Sequence, residues 1–459
     1  MPANIVPFII RGQIIEDPDL TFTHPATGIA FSYPDPARHI GKALLDDPVQ
    51  LRKDFARIST TEIIAFLAKA GKAMKLANNP RLQASYEFTT KFSSLTEPII
   101  RASYELLPVV FSRFALRAMV ENEIGGSRYL DRWVDLPYAI QHARTRAYGT
   151  RMLHYLSGNV PVVAALSMAR AALVQSENII RVPINDPLTA QAILEAMIQV
   201  DRDHPIVRHF SAMFWEKESG IEKTLFTPRY LEKIISWGGA LGAANSTENH
   251  GELSTAGIDI LELGPRVSMS IIGKEGFSNS RIMQELAKRA AKDAASFNMQ
   301  SCGSSRFQFV QSNEETAIEY GRLLHVAMQD QAPGFSTKPR SFPPSLKENL
   351  AAIRDGGLYE VIGGEDEEGA VVVSLAGEMV DFIPTDKVVN VIPFDDMEEV
   401  LERIPASIQT VGIYPQALRE EWRDALIGRG VCRLIDIGYT ADYSVGAPFN
   451  NQPVMPRMC

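Results

Sequence analysis

The residue pattern predicts an α/β protein built on parallel sheets. Three observations lead there. From about Met152, short apolar runs rich in β-branched residues alternate with helical stretches of about 10–15 residues. A second alternation of the same kind begins near Val267. A chain of 459 residues is too long for one hydrophobic core and divides into two or three domains.

Residues 1–45, rich in Pro, Asp and Thr, read as loops with short strands. Asp47 to Met119 reads as helical, because Ile63, Phe66, Leu67 and Met74, then Leu106, Val110 and Phe114, recur at spacings of three and four. A Gly-rich, aromatic stretch runs from Gly125 to Tyr148. In the first alternation Val160–Val163 is apolar and β-branched, Ser167–Ser176 helical and Asn178–Val182 a strand. Asp186–Gln199 is helical, with Asp186 as cap and Pro187 at N1. Tyr230–Ile235 reads as a helix or turn and Ile258–Leu261 as a strand. In the second alternation, helices are expected at 280–297, 314–328, 397–404 and 418–428. Strands are expected at 307–310, 359–362, 370–375, 388–394 and 408–413, and 331–346 is Pro-rich loop. The acidic turn Gly363–Gly369 reads as a solvated hairpin tip.

Composition narrows the function. Apolar residues make up 45% and charged residues 22%, ordinary for a globular protein. A net charge of −9 with no basic run argues against a nucleic-acid partner, since phosphates need Lys and Arg. No apolar run reaches the roughly 18–20 residues that span a bilayer. The start, Met1 to Arg11, lacks the pattern of a signal peptide. A cytoplasmic protein is expected. The three cysteines, at 302, 432 and 459, form neither a CxxC pair nor a disulfide framework. Cys432 looks like a core strand residue, and no metal site is expected.

Cys302 stands apart. It lies among small and polar neighbours, Asn298-Met299-Gln300-Ser301-Cys302-Gly303-Ser304-Ser305, just beyond a helix. Such a setting leaves sulfur approachable and offers backbone N–H groups, as a nucleophile requires; a free cysteine in an ordinary loop is the alternative. Four other segments carry candidate chemistry. In Leu156-Ser157-Gly158-Asn159-Val160-Pro161, the Asn159 amide is either a donor to an oxyanion or a turn residue. In Ile179-Ile180-Arg181-Val182-Pro183, Arg181 at a strand's carboxyl end meets either a nucleotide or a surface acid. Ser236-Trp237-Gly238-Gly239 is a glycine turn open to a phosphate, though not the G-x-G-x-x-G fingerprint. In Leu261-Glu262-Leu263, a carboxylate between leucines is costly to bury unless paired or functional. Glu262 is either a proton acceptor or half of an ion pair.

The order of these segments resembles the aldehyde dehydrogenase superfamily over about 155 to 310, resuming at Val388–Asp396 and at Gly446–Asn451. Within it, Leu156–Pro161, Trp237–Gly239, the block from Asp293 through Phe297 to Cys302, and Thr410–Pro415 are similar to acyl-CoA reductases of the LuxC type. The resemblance implies a Rossmann-type cofactor domain plus an α/β catalytic domain, with small oligomerisation elements. The expected division is a cofactor-binding part at 1–260, a catalytic part at 261–435, and a segment at 436–459 that serves oligomerisation or returns to the cofactor domain.

The resemblance also implies an activity: NADPH-dependent reduction of an acyl thioester to an aldehyde through an acyl-cysteine. Carried onto this chain, Cys302 is the nucleophile, and Asn159 with the Cys302 N–H forms the oxyanion hole. Arg181, Pro183, Ser236, Trp237, Gly238 and Gly239 line the cofactor site. Glu262 matches the carboxylate that activates water in aldehyde oxidation, a step thioester reduction does not need; His250 is a second candidate base. Arg181 replaces the superfamily's common Lys, and that cation favours NADPH. The acyl donor is acyl-CoA or an acyl-carrier or acyl-synthetase protein, and a homodimer or homotetramer is expected. Aldehyde oxidation and a non-catalytic scaffold that docks an acyl-transfer partner stand as alternatives.

Overall fold

The computed structural model describes all residues except 1–4, 26, 138–140, 159, 239–249, 265, 443–444 and 450–452; the side chains of His250 and Glu252 are also outside it. Asn159 and Gly239 therefore lie outside the described residues. Two compact units are present. The first comprises Met1–Ser93, Ser103–Gly264 and Val445–Cys459; the second comprises Ser94–Ala102 and Pro265–Ser444.

The strands of the first unit are β1 (Phe8–Ile10), β2 (Gln13–Ile15), β3 (Leu20–Thr23), β4 (Ala30–Tyr33), β5 (Val134–Asp135), β6 (Arg144–Thr145), β7 (Arg151–Tyr155), β8 (Glu177–Arg181), β9 (Phe210–Met213), β10 (Lys233–Trp237) and β11 (Asp259–Leu263). Its main sheet runs β11-β10-β7-β8-β9-β1-β2. Strands β7 to β11 are mutually parallel, and β1 and β2 add an antiparallel edge. Chain order reverses between β7 and β10, which makes this a doubly wound sheet with its crevice at the carboxyl ends of those two strands. Helix Thr189–Val200 packs on helix Thr60–Ala73, whose start is fixed by a capping box of Ser59 and Glu62.

The second unit holds β12 (Val267–Ile272), β13 (Ser305–Val310), β14 (Tyr359–Gly363), β15 (Ala370–Ser374), β16 (Val388–Pro393), β17 (Ile408–Tyr414) and β18 (Arg433–Asp436), in the order β14-β15-β16-β13-β12-β17-β18. Only the β14–β15 hairpin is antiparallel. Alternate side chains feed two cores. One contains Met269, Ile271, Phe307 and Phe309; the other packs Val310, Val371, Val389 and Val391 under helices Ser280–Ala295 and Glu314–Gln329.

Several local expectations are corrected. Tyr230–Ile235 leads into strand β10 rather than a helix; Leu231, Ile234 and Ile235 imitate helical spacing, but the segment pairs on both sides with parallel strands. Val160–Val163 runs into helix Val162–Leu173, and the strand before it is β7. The helix expected at Asp186 starts at Thr189 with Leu188 as N-cap, and Asp186 is turned inward instead. The tip at Gly363–Gly369 is more than solvated charge. Glu368 accepts from the Gly364 and Asp366 amides, and Glu367 accepts from the Phe342 amide and pairs with Lys347. Cys432 precedes β18 and is half-buried.

Gly149 tests the entry to β7. A Cβ there would lie 2.4 Å from the Gln175 and Val174 backbone, which no side-chain movement relieves. Gly149→Ala should lower stability by about 1–3 kcal/mol or more, read as an earlier denaturant midpoint. An unshifted midpoint would contradict the packing described.

Candidate functional site

The second unit presents Cys302 on a strained turn. Helix Ser280–Ala295 is capped by the Asn279 side chain and buries Met283, Leu286, Ala287, Ala290 and Ala291. Immediately beyond it three consecutive non-glycine residues take left-handed backbone: Phe297 (φ 49°), Asn298 (φ 50°) and Met299 (φ 65°). Each such residue costs about 1–2 kcal/mol, so the run persists only where surrounding bonds impose it. They do. The Phe297 amide donates to Phe335 O at 2.9 Å. Asn298 Oδ1 accepts from the Thr337 amide at 2.9 Å and from Ser336 Oγ at 3.1 Å. Arg306 Nη2 donates to Met299 O at 2.9 Å.

Cys302 follows, half-buried, and its carbonyl is anchored too. Ser268 Oγ donates to it at 2.8 Å and Gln409 Nε2 at 3.3 Å. Ser268 and Gln409 lie near the starts of β12 and β17, and Cys302 itself precedes β13. The thiol therefore sits at the amino ends of this sheet, opposite to the end where doubly wound sheets usually bind ligands.

The first unit carries the candidate nucleotide residues at its switch point. Arg181 ends β8, in register with Tyr155 of β7 and Met213 of β9. Its Nε donates to Trp215 O at 3.2 Å, and its guanidinium lies 5.6 Å and 5.8 Å from the Tyr155 and Trp215 ring centres. The Tyr155 hydroxyl donates to Glu222 at 2.7 Å, and burial with that carboxylate pushes the phenol's titration upward. A half-buried cation on an aromatic floor, at a strand's carboxyl end, suits a nucleotide phosphate.

Trp237 and Ser236 are buried rather than open. Trp237 Nε1 donates to Ser167 Oγ at 2.8 Å, and Ser167 also bonds His154 Nδ1 at 2.9 Å. His154 Nε2 meets Asn178 Oδ1 at 3.1 Å, and burial pulls this imidazole down to about 4, keeping it neutral. Gly238 (φ 28°) follows with its amide on Leu263 O at 3.0 Å. Pro183 is half-buried in the loop after β8. A Cβ at Gly158 would fall 1.6 Å from Asn185 Oδ1, so that side chain would have to turn aside. Glu262 is exposed on β11, so the burial penalty expected between two leucines does not arise. His250 begins helix His250–Thr255. Among the described residues no group of His, Cys, Asp and Glu is arranged to hold a metal ion.

Sequence reasoning gave Asn298 and Arg306 no role and read Asp186 as a helix cap. Nothing in sequence announces left-handed backbone at Asn298. The Asp186 carboxylate is buried under the loop after β8, accepting from Thr189 Oγ1 at 2.5 Å and Thr89 Oγ1 at 3.0 Å.

The two doubly wound sheets define the class: an aldehyde dehydrogenase-like fold. An oxidoreductase from Marinobacter aquaeolei superposes with a TM-score of 0.74 at 14% identity, over 98% of this chain and 93% of that one. NADP-dependent glyceraldehyde-3-phosphate dehydrogenase from Bacillus halodurans C-125 gives 0.70 at 14% identity, over 96% and 92%. The sequence is more specific. The profile described as Acyl-CoA reductase (LuxC) matches residues 55–457, and the chain belongs to that family. The long-chain acyl-protein thioester reductase of Aliivibrio fischeri is 26% identical over 405 residues, covering 86% of this chain and 80% of that protein. Among the described residues no helix is long and apolar enough to cross a membrane.

Asp186 yields a pH test. Burial raises its carboxyl to about 6, against about 3.9 for an unfolded chain. The folded state thus holds this proton more tightly. The stability it contributes is present at low pH and is lost as pH rises from about 4 through 6. Asp186→Asn should flatten that part of the profile by on the order of 1–3 kcal/mol, measured by urea unfolding at pH 4 and 7. Asp293, raised to about 6 by burial, leaves a residual slope. An unchanged profile in the variant would count against the assignment.

Proposed function

We propose that this protein reduces a long-chain acyl thioester to an aldehyde, with Cys302 as the acyl acceptor and NADPH as the reductant. One observation carries the reading: a half-buried thiol on a turn held in strained backbone by bonds from three directions, in a chain of the acyl-CoA reductase (LuxC) family. Strain of this kind marks functional sites. The name of the Aliivibrio fischeri relative supports a protein-bound acyl donor, and the family's description supports acyl-CoA. Both are thioesters and pose the same chemical problem.

Cys302 sulfur attacks the thioester carbonyl, the donor's C–S bond breaks, and the donor leaves as a thiol carrying the cysteine's proton. The acyl group is now held as a thioester on Cys302. Asn159 and the Cys302 amide are assigned to the carbonyl oxygen as it gains negative charge; losing one such donor typically costs about 2.7–4 kcal/mol of barrier. A nicotinamide cofactor, when bound, supplies the hydride that the acyl carbon needs. Cys302 then releases the aldehyde and recovers a proton. Arg181, on its Tyr155 and Trp215 floor, is assigned to a cofactor phosphate, and Pro183, Ser236, Trp237, Gly238 and Gly239 are assigned to the same cofactor site. A homo-oligomer in the cytoplasm remains part of this reading.

Acyl-CoA supplied without NADPH should leave an acyl adduct on the Cys302 peptide by mass spectrometry, and Cys302→Ala should form none and lose turnover by at least about 1,000-fold. An adduct on Cys432 or Cys459 alone, or turnover persisting in Cys302→Ala, overturns the proposal.

Arg181→Leu should raise KM for NADPH by about tenfold or more while changing KM for NADH by less than about threefold. Equal losses with both cofactors would sink its assignment to the 2′-phosphate.

A further inference from the structure

We propose that a cavity between three helices of the first unit is a second anion site, separate from the cofactor crevice, which takes a phosphorylated organic molecule of nucleotide size.

The cavity is open to solvent and measures about 600 Å³, a volume typical of small-molecule sites. Lys69 and Lys72 line it from helix Thr60–Ala73, and Arg113 lines it as the first residue of helix Arg113–Ile124. Asp201 lines it just beyond helix Thr189–Val200. That helix is the crossover between the parallel strands β8 and β9, so it runs back along the sheet and leaves Asp201 at the amino ends of the strands. Arg181 closes β8 at the opposite end. The cavity and the cofactor crevice are therefore different places on the same unit.

The three cations are placed against local preference. Lys69 and Lys72 stand one turn apart on one helix face, where like charges repel, and neither has an acid three or four residues away. Arg113 occupies the first turn of its helix, the end whose dipole disfavours a cation, and that turn holds no acid. Only Lys72, in the last turn of its helix, is favoured by the dipole. Among the described residues none of the three makes an ion pair or a side-chain hydrogen bond. The acids on these segments are engaged: Asp201 Oδ1 accepts from the Asp203 amide at 3.0 Å, and Glu62 closes the capping box with Ser59. In a chain of net charge −9, a cavity ringed by unpaired cations is a local exception, and an anion between them relieves their repulsion.

The wall also has an apolar part. Phe66 and Val200 line it, and the His204 ring stacks on Phe66 with 3.6 Å between centres and 3° between planes. Inorganic phosphate leaves that wall and most of the volume unused. A phosphorylated nucleoside uses both, with the Arg113 fork and the two ammonium groups on its phosphates.

The test is isothermal titration calorimetry of the full chain with adenosine 3′,5′-bisphosphate and, separately, with pyrophosphate. The nucleotide should bind saturably. Its Kd should weaken about tenfold in Lys69→Met, about tenfold in Arg113→Met, and stay within about threefold in Arg181→Leu. Lys69 and Arg113 are exposed, so these variants keep the fold. Pyrophosphate should bind more weakly, and equal affinity overturns the assignment to an organic ligand. Loss confined to Arg181→Leu places the nucleotide in the cofactor crevice and overturns the proposal. Binding that both the Lys69 and Arg113 variants retain, or no saturable binding, overturns it too. None of these measurements involves Cys302, so their outcome is separate from that of the acyl-adduct experiment.

Discussion

Three left-handed residues ahead of Cys302 are the constraint on which the placement of that thiol depends. Asn accepts this backbone readily, whereas Phe and Met do not. The run is therefore imposed from outside. The Phe335–Thr337 segment supplies a carbonyl, an amide and a hydroxyl, all directed at Phe297 and Asn298. Arg306 supplies the remaining bond, from the strand the turn leads into. The turn is thus bonded to two separate segments that follow it in sequence, and Cys302 inherits its position from both. A flexible loop would give the thiol many orientations, and attack on a carbonyl rewards only a narrow set of them.

The first unit handles polarity in the opposite manner. Trp237, Ser167, His154 and Asn178 form a buried chain of neutral groups in which each hydrogen bond satisfies the next. Burial keeps His154 uncharged, so this run of hydrogen bonds ties β7, β8 and β10 together without a charged member. Beside this chain, Arg181 and Glu222 share the Tyr155 and Trp215 rings. Glu222 also limits what that cation can hold. Any phosphate near Arg181 must keep clear of a carboxylate that already takes the Tyr155 hydroxyl.

The alternation of strands and helices was legible because parallel strands buried on both faces are continuous apolar runs, as Ile179-Ile180 and Val388-Val389 show. β7 was not, since Arg151 and His154 interrupt its apolar pattern; their burial depends on Glu232, Ser167 and Asn178, which sequence does not place beside them. Asp186 imitated an N-cap through its Pro187 neighbour, but Thr89, far away in the chain, drew it inward. Cys302 was legible from its small neighbours. Asn298 and Arg306 were not, because their importance lies in backbone conformation and burial, which residue identity alone does not encode.

Glu262 bears on the choice between the two chemistries open to such a thiol. Aldehyde oxidation ends in hydrolysis of the acyl-cysteine and needs a base to activate water. Enzymes make a carboxylate effective in that role near neutral pH chiefly by burying it. Glu262 is exposed on β11, a strand at the edge of its sheet, with buried leucines at 261 and 263 facing away from it. Thioester reduction makes no demand on that residue, since its acyl-cysteine leaves by gaining hydride rather than water.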